Sequence, residues 1–206
     1  RIKLAETSAQ PGDGTGASRE YVRAADLLPE SAEAQLKAGS MLLLAGRYED
    51  AKARAAGLLA REPKNIEAHV LLANATAGLK DVAGAVAEIE SAIQMDPSRS
   101  ASYSNLGMLE LVRGDRGKAE AAYRKAVQID PSSVPAHLAL ANFFWATSRA
   151  ADAEASLKTA LGLDAQHVLA RLGGDDELVR GGPEARAVQA LVLAEIDRAH
   201  DLVVRE

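Results

Sequence analysis

The residues that could carry chemistry are few and scattered along the chain. Residues 11–18, "PGDGTGAS", form a glycine-rich stretch before a helix and could cradle an anion at the helix N-terminus. The stretch lacks the Lys-Ser/Thr pair of a phosphate-binding loop and no strand precedes it, so a turn between hairpin helices explains it better. Asp175, Asp176 and Glu177 could bind a hard cation, but a solvated acidic turn is the better interpretation.

The four histidines, His69, His137, His167 and His200, favour a structural role. His69 and His137 lie two full periods apart in the repeat described below, which is too far for them to share one metal ion. The chain has no cysteine, which excludes disulfides and thiolate metal sites. No Ser/His/Asp constellation carries a local catalytic signature. We therefore predict no catalytic residue, no metal site, no cofactor and no enzymatic activity.

The composition of the chain indicates what its core consists of and which classes of partner are excluded. Apolar residues make up 48% of the 206 residues but aromatic residues only 3%, so the core must consist mostly of Ala, Leu and Val in closely spaced helices. The net charge of −5 argues against nucleic acid as a partner. No apolar run approaches the ~18 residues of a membrane span, so we expect no membrane insertion. The chain begins at Arg1 in mid-pattern and shows no signal peptide, which indicates a fragment and leaves a cytoplasmic or periplasmic location open.

A constant period organises the chain. Prolines recur at positions 29, 63, 97 and 131, which sets the interval at thirty-four. Three further columns share this spacing: Ala17, Ala51, Ala85, Ala119 and Ala153; Ala5, Gly39, Ala73, Gly107 and Ala141; Leu4, Ala38, Leu72, Leu106 and Leu140. A repeat of this length is typical of a stacked array of helix-turn-helix units.

Each copy contains two helices. In the second copy they are predicted over 33–45 and 48–61, with Gly46 between them. The small-residue column that includes Gly39 is expected to let the two helices of one hairpin approach closely. The prolines stop each second helix, because the residue before proline is driven out of the α region. Ser98 and Ser132, which follow Asp-Pro pairs, are expected to help cap the next helix.

These motifs resemble the tetratricopeptide repeat family, in an array of the bacterial type. In residues 106–131, "LGMLELVRGDRGKAEAAYRKAVQIDP", the family pattern is matched by Leu106, Gly107, Gly114, Ala119, Tyr123, Ala126 and Pro131. The resemblance implies an all-α, right-handed superhelical solenoid of about five hairpins. Two departures stand out: the usual tryptophan is replaced by Gln35, His69, Tyr103 and His137, and Glu110 stands where an aromatic is common, so that copy is expected to pack less well.

We assign the array to residues 1–167, with an irregular or partial first repeat over 1–31. The full repeats are 32–65, 66–99, 100–133 and 134–167. Residues 168–206 form a degenerate repeat. Within it, 183–204 is predicted to be one longer helix that caps the array, because the terminal units of a solenoid cover an open apolar end.

A nearly uncharged stripe recurs on the first helices. Leu36, Ser40 and Leu43 lie at i, i+4 and i+7, about 200° around the helix from the core stripe of Ala38 and Leu42. The repeat period extends it to Val70, Asn74, Ala77, Ser104, Met108, Leu111, Leu138, Asn142 and Trp145. With Asn105, added for its carboxamide, we call this set the groove stripe. The family resemblance implies that first helices line a concave groove and that this stripe meets the ligand.

The chemistry of the groove stripe limits the partner. The family's grip on a C-terminal carboxylate uses Lys and Arg with Asn, and here Leu36 and Val70 stand where a basic residue would be wanted. Asn74, Asn105 and Asn142 could instead pair with the backbone amides of an extended peptide, or hydrogen-bond within the helices. Trp145 is either a groove anchor or packs on a neighbouring first helix or under the C-terminal helix.

These observations predict a scaffold that binds a peptide, helix or protein partner in an apolar, asparagine-containing groove. Two alternatives stay open. The array could assemble with copies of itself as a homo-oligomer, through the same groove or through its ends. It could also be a docking or regulatory segment of a larger protein.

Overall fold

The computed structural model describes residues 14–164 and residue 168. Over residues 14–164 the chain forms nine α-helices and no strand, so the predicted all-α fold of helical hairpins is confirmed. The helices are α1 Gly14–Leu27, α2 Ala32–Leu44, α3 Tyr48–Arg61, α4 Ile66–Gly78, α5 Val82–Met95, α6 Ser100–Arg113, α7 Arg116–Ile129, α8 Val134–Ala146 and α9 Ala150–Leu163. The predicted cap over 183–204, the acidic run at 175–177, His167 and His200 lie outside the described residues.

The helix starts follow the period of the sequence. The first helices α2, α4, α6 and α8 begin at Ala32, Ile66, Ser100 and Val134, and each second helix begins at the same interval after its partner. The helices predicted over 33–45 and 48–61 are α2 and α3. The glycine-rich stretch differs from its prediction, because residues 14–18 belong to the first turns of α1 instead of a turn. By its contacts the chain divides into two compact units, 1–118 and 119–206, while the finer division into repeats stays a prediction.

Local hydrogen bonds explain where the first helices begin. Ser31, Asn65 and Ser133 are N-caps whose side chains accept from the backbone N–H three residues later, at 3.2, 3.0 and 3.3 Å. The prediction that Ser98 and Ser132 help to cap the next helix is wrong. Their backbone N–H and hydroxyl groups donate instead to the carboxylates of the preceding Asp96 and Asp130, because a serine two residues after an aspartate closes an Asx turn.

Each hairpin turns through one residue in the left-handed region. Gly46 and Gly114 have φ of 70° and 90°, and Lys80 and Ser148 stand at the equivalent positions with φ of 69° and 60°. A side chain in this conformation crowds the following carbonyl, at a cost of roughly 1–2 kcal/mol. The turn geometry is therefore kept in four hairpins although only two of them have glycine.

Close packing between successive first helices explains the small-residue column. A Cβ atom on Gly39 would overlap Cδ2 of Leu71, so the side chain of Leu71 on α4 occupies the space beside α2. The expectation that this column serves the two helices of one hairpin is thus corrected at Gly39: its close neighbour lies in the next hairpin. The alanine column fills the interior of the second helices, where Ala51 and Ala85 are fully buried.

Helix α6 carries polar residues at core positions. Ser102 is fully buried where the other first helices have Ala34, Ala68 and Ala136, and its hydroxyl has no hydrogen-bond partner among the described residues. Glu110 is buried in the column of Leu42, and both of its carboxylate oxygens lie within 2.8 Å of Nη2 of Arg113. Burial of polar groups in this helix costs stability, since an unpaired buried hydroxyl loses its hydration without compensation.

The second unit has a more aromatic core. Phe143 and Phe144 are buried, and the ring of Phe143 lies 5.5 Å from that of Tyr123. The guanidinium of Arg149 lies 4.4 Å from the centre of the Phe144 ring and hydrogen-bonds to Glu120 at 2.7 Å. This bond, with a second one from Arg124, holds the pKa of the Glu120 carboxyl below its usual value.

Residue 168 continues this core beyond α9. Val168 is fully buried in one cluster with Val134, Leu138 and Leu157, so this residue adds to the core of the last described hairpin. No helix in the described part of the chain combines the length and apolar character needed to cross a bilayer.

The substitution Gly39→Leu should lower the free energy of unfolding by about 1–3 kcal/mol, because the new side chain would compete with Leu71 for the same space. Gly57→Leu is the matched control. Gly57 lies inside α3 with no neighbouring side chain within 4 Å, so there the change should raise stability by about 0.5–1 kcal/mol through helix propensity. Denaturant unfolding of both variants measures the contrast, and equal effects would contradict the packing assigned to Gly39.

Removal of the buried hydroxyl in Ser102→Ala should stabilise the chain by about 1 kcal/mol, because the orphaned polar group disappears and little volume is lost. In the control Ser91→Ala the lost hydroxyl is exposed and donates to the Ala87 carbonyl, so the change should stay within about 0.5 kcal/mol. Thermal unfolding monitored by circular dichroism compares the two, and destabilisation by Ser102→Ala would show that the hydroxyl is satisfied.

Exchange of the turn residues tests the left-handed column. Lys80→Gly should stabilise the chain by about 1 kcal/mol by removing the crowding at positive φ, and Gly46→Lys should destabilise it by a similar amount. Urea unfolding midpoints provide the measurement. Opposite signs are expected for the two variants, and the same sign for both would be incompatible with equivalent turns.

Candidate functional site

The first helices of the first unit lie side by side. Helix α2 contacts α4, and α4 contacts α6, in addition to the contacts of each with its own second helix. The three helices that carry the groove stripe in this unit are therefore in contact one after the other. The stripe residues of α8 belong to the second unit and are described on their own.

On α2, some residues of the groove stripe already pack within the protein. Leu36 is half-buried, and Leu43 packs against the core cluster of Leu42, Ala51 and Ala75. Ser40 is exposed, but its hydroxyl already donates to the Leu36 carbonyl at 3.0 Å. Helix α2 thus offers apolar surface and no free polar group within the stripe.

Helix α4 contributes a carboxamide without an internal partner. Val70 and Ala77 pack at the edge of the cluster that contains Ala73 and Ile89, which fixes the helix in place. Asn74 lies between them on the stripe and is half-buried, yet its side chain makes no hydrogen bond within the described part of the chain. Its donor and acceptor are therefore available to an external group.

Helix α6 presents the most exposed apolar residue of the stripe. The side chain of Met108 is 42% exposed, and Leu111 is half-buried beside it. Asn105 lies one residue after Ser104 and so about 100° away from the stripe. It stands in the column of Leu71, which is buried against α2, so Asn105 belongs to the side of α6 away from the stripe's centre.

On α8 the stripe is divided between core and surface. Leu138 was predicted to line the groove, but it is buried in the core cluster that contains Val134, Leu157 and Val168, because the second helix and residue 168 contribute side chains to the same core. Asn142 is exposed, and among the described residues its side chain has no hydrogen-bond partner. Trp145 is half-buried, so part of its ring system is open to solvent.

Two exposed apolar residues extend the stripe and were missed in the sequence. Leu44 is 81% exposed and Val112 is 65% exposed. Each stands four residues after a stripe position, Ser40 or Met108, and thus only about 40° further around its helix. They occupy the same repeat position, and extending the i, i+4 pattern by one turn would have found them.

The charges that border the stripe are already paired. Glu33 forms an ion pair with Lys37 at 3.1 Å, and Glu67 forms one with Arg99 at 2.5 Å. The hydrogen bond from Arg99 holds the pKa of the Glu67 carboxyl below its usual value. The stripe itself contains no charged side chain, so the surface can bury apolar groups and pair with amides but cannot neutralise a carboxylate.

The histidines and carboxylates of the described residues do not form a metal-binding cluster. Within residues 14–164 no group of three or more His, Asp or Glu side chains could hold a metal ion. His69 contacts the Glu88 carboxylate and the Pro63 carbonyl, and the buried His137 contacts the Pro131 carbonyl. These two histidines serve the hairpins, as their positions in the repeat predicted.

Comparisons with known proteins agree with this geometry. Residues 93–203 match a model described as the middle TPR-like domain of cilia and flagella-associated protein 70, and residues 42–107 and 10–51 match two tetratricopeptide repeat models. The chain is 35% identical over 94 residues to the Hsp70-Hsp90 organizing protein of Triticum aestivum. That match covers 44% of this chain and 16% of the wheat protein.

Solved structures share the fold at low sequence identity. A thermophilic TPR protein from Thermus thermophilus superposes with a TM-score of 0.71 at 21% identity, over 82% of this chain and 93% of that one. MamA from Desulfovibrio magneticus RS-1 gives 0.57 at 19% identity, over 80% and 93%. With the helical hairpins, the constant repeat period and a family model that covers more than half of the sequence, the chain belongs to the tetratricopeptide repeat family.

Proposed function

We propose that this chain is a protein-interaction scaffold that binds a peptide or protein partner on the groove stripe of its first helices. The observation that carries the proposal is Asn74, whose half-buried carboxamide has no hydrogen-bond partner within the described residues and lies among apolar neighbours. A polar group held this way costs free energy in the unbound protein unless water satisfies it. A partner that supplies a backbone amide recovers that cost.

The surroundings of Asn74 indicate the chemistry of the partner. An amide side chain can accept from a backbone N–H and donate to a backbone C=O, which suits an extended peptide. Met108 and Val112 on the adjacent helix expose apolar area that an incoming side chain would remove from water. The bound segment is thus uncharged where it meets the stripe and carries an apolar residue opposite Met108.

Acidic C-terminal peptides suit this surface poorly. Leu36 and Val70 occupy stripe positions where a cation would be needed, and the nearby Lys37 and Arg99 are paired with Glu33 and Glu67. A carboxylate placed on the stripe would lose hydration without gaining a counter-charge. We therefore do not assign the partner of the wheat protein to this chain. The match covers only 16% of the wheat protein and supports only a shared repeat.

A peptide selected on the wild-type chain from a random phage-displayed library provides the test. Met108→Glu should weaken its binding by about 2 kcal/mol, because a charge would be buried against the peptide's apolar residue. Asn74→Ala should cost about 1 kcal/mol through the unpaired peptide amide. Calorimetry at two salt concentrations should show little salt dependence, since the stripe has no charge to screen.

Met95→Glu is the matched control. Met95 ends a second helix, α5, and is 39% exposed against 42% for Met108, so both variants place one charge at a similarly exposed methionine. Equal losses of affinity in the two variants would contradict binding at the first helices. Sedimentation of the wild type over a range of concentrations, without peptide, shows whether a second copy of the chain occupies the stripe, in which case Met108→Glu would restore the monomer.

A further inference from the structure

All the sulfur atoms of this chain belong to methionine thioethers. The sequence contains three methionines and no cysteine. Met41 lies on α2, Met95 ends α5, and Met108 lies on α6. Because the chain has no thiol, these thioethers are the sulfur groups that an oxidant can modify. The effect of an oxidant on the protein therefore depends on where the three thioethers lie.

The three thioethers differ in their surroundings. Met41 is half-buried and stands in the repeat column of Ala75 and Leu109, which are fully buried. Met108 is 42% exposed and Met95 is 39% exposed, so an oxidant dissolved in water can reach both. Of these two, Met108 lies on the groove stripe, whereas Met95 ends a second helix. Met108 is thus the exposed thioether on the surface that we propose for binding.

The core of α6 does not depend on the thioether of Met108. The next residue, Leu109, is fully buried in the core cluster with Ala73 and Ile89, which holds α6 against its neighbours. Met108 and Val112 lie one turn apart on the exposed side of the helix. A polar change at Met108 therefore alters the surface and leaves the buried contacts of α6 in place.

Oxidation changes the chemistry of a methionine by one atom. Hydrogen peroxide, the simplest hydroperoxide, transfers one oxygen to the thioether sulfur: the O–O bond breaks, an S–O bond forms, and the second oxygen leaves as water. The sulfur loses two electrons and the peroxide gains them. The product, a methionine sulfoxide, is polar and chiral, and reductases specific for each epimer convert it back to the thioether.

We propose that Met108 is an oxidation site that controls the binding of the partner, with a hydroperoxide as the co-reactant. This inference rests on the proposed function, since it concerns the same surface. In the reduced form the thioether and the apolar residue of the partner remove each other from water. In the oxidised form the partner would cover a polar oxygen to which its apolar residue cannot donate a hydrogen bond. Oxidation therefore releases the partner, and reduction restores the surface.

Asn74 on the adjacent helix does not remove this penalty. Its carboxamide could donate to the sulfoxide oxygen, because it has no hydrogen-bond partner among the described residues. That bond would take the donor away from the peptide carbonyl that Asn74 is proposed to bind. Whether the sulfoxide is satisfied or not, the partner loses interaction energy.

Peptide binding before and after treatment of the full chain with hydrogen peroxide tests the proposal. The probe is a phage-selected peptide without methionine or cysteine, added after catalase has removed the peroxide. Trypsin places the three methionines on different fragments, 38–47, 81–99 and 100–113, so mass spectrometry measures the oxidised fraction of each one. Full conversion of Met108 should weaken binding about tenfold or more, and treatment with both classes of reductase should restore it.

Met108→Leu and Met95→Leu are the matched variants, because each removes one exposed thioether and nearly conserves its volume. Each protein is compared with itself before and after peroxide. Met95→Leu should lose affinity on oxidation as the wild type does, whereas Met108→Leu should keep its own starting affinity. An equal loss in Met108→Leu would overturn the proposal, since another group would then be responsible. Unchanged wild-type binding after full conversion of Met108 would overturn it as well.

Two further measurements separate this proposal from its alternatives. If Met108→Glu weakens binding more than Met95→Glu but oxidation has no effect, the groove stripe stands and the oxidation site is refuted. If Met108→Glu and Met95→Glu bind equally well, the proposed function is refuted and the oxidation site with it. Far-UV circular dichroism of the oxidised chain should show the helical signal of the reduced chain, and its loss would refute control through the surface.

Discussion

Contact between successive first helices is the constraint on which the rest of this structure depends. Leu71 fills the space beside α2 that Gly39 leaves open, and a side chain at Gly39 would have to displace that of Leu71. A core with few aromatic residues can be dry only if its helices approach closely, so the small residues must recur at every repeat. This packing requirement explains why small residues recur in the sequence at a constant period. The groove stripe follows from it, because helices packed side by side align equivalent positions.

Not every core position obeys this apolar pattern. Ser102 and Glu110 place polar groups inside α6, and the column of Gln35, His69 and His137 replaces a large aromatic with hydrogen-bonding side chains. A buried polar group is tolerated when it is paired, and these positions differ in that respect. These three residues of the tryptophan column have partners, whereas the hydroxyl of Ser102 has none in the described part of the chain. Individual hairpins of one array therefore differ in how their buried polar groups are satisfied.

The same distinction separates the surface that we propose as the binding site from the stripe positions that are already engaged within the fold. The hydroxyl of Ser40 already donates within α2, and Leu138 is buried in a core cluster, so neither offers a partner a free donor or an exposed apolar surface. Asn74 and Met108 keep an unpaired amide and exposed apolar area on adjacent helices. The proposed binding surface therefore centres on α4 and α6 in the first unit, with Leu44 and Val112 extending it at the ends of their helices.

The sequence by itself determined the helical hairpins, their period and the core columns, because these follow from the spacing of prolines and small residues and from the 3.6-residue turn. It also predicted which residues share one face of each first helix, since a stripe is a local property of one helix; their role in binding stays a prediction. Only the tertiary structure decided that Gly39 faces the next hairpin, that Leu138 is buried and that His69 has two acceptors. These facts depend on which side chain of another helix reaches a given position, and no pattern within a single helix contains that information. For the same reason, residues of equal type in one column, such as His69 and His137, differ in their chemistry.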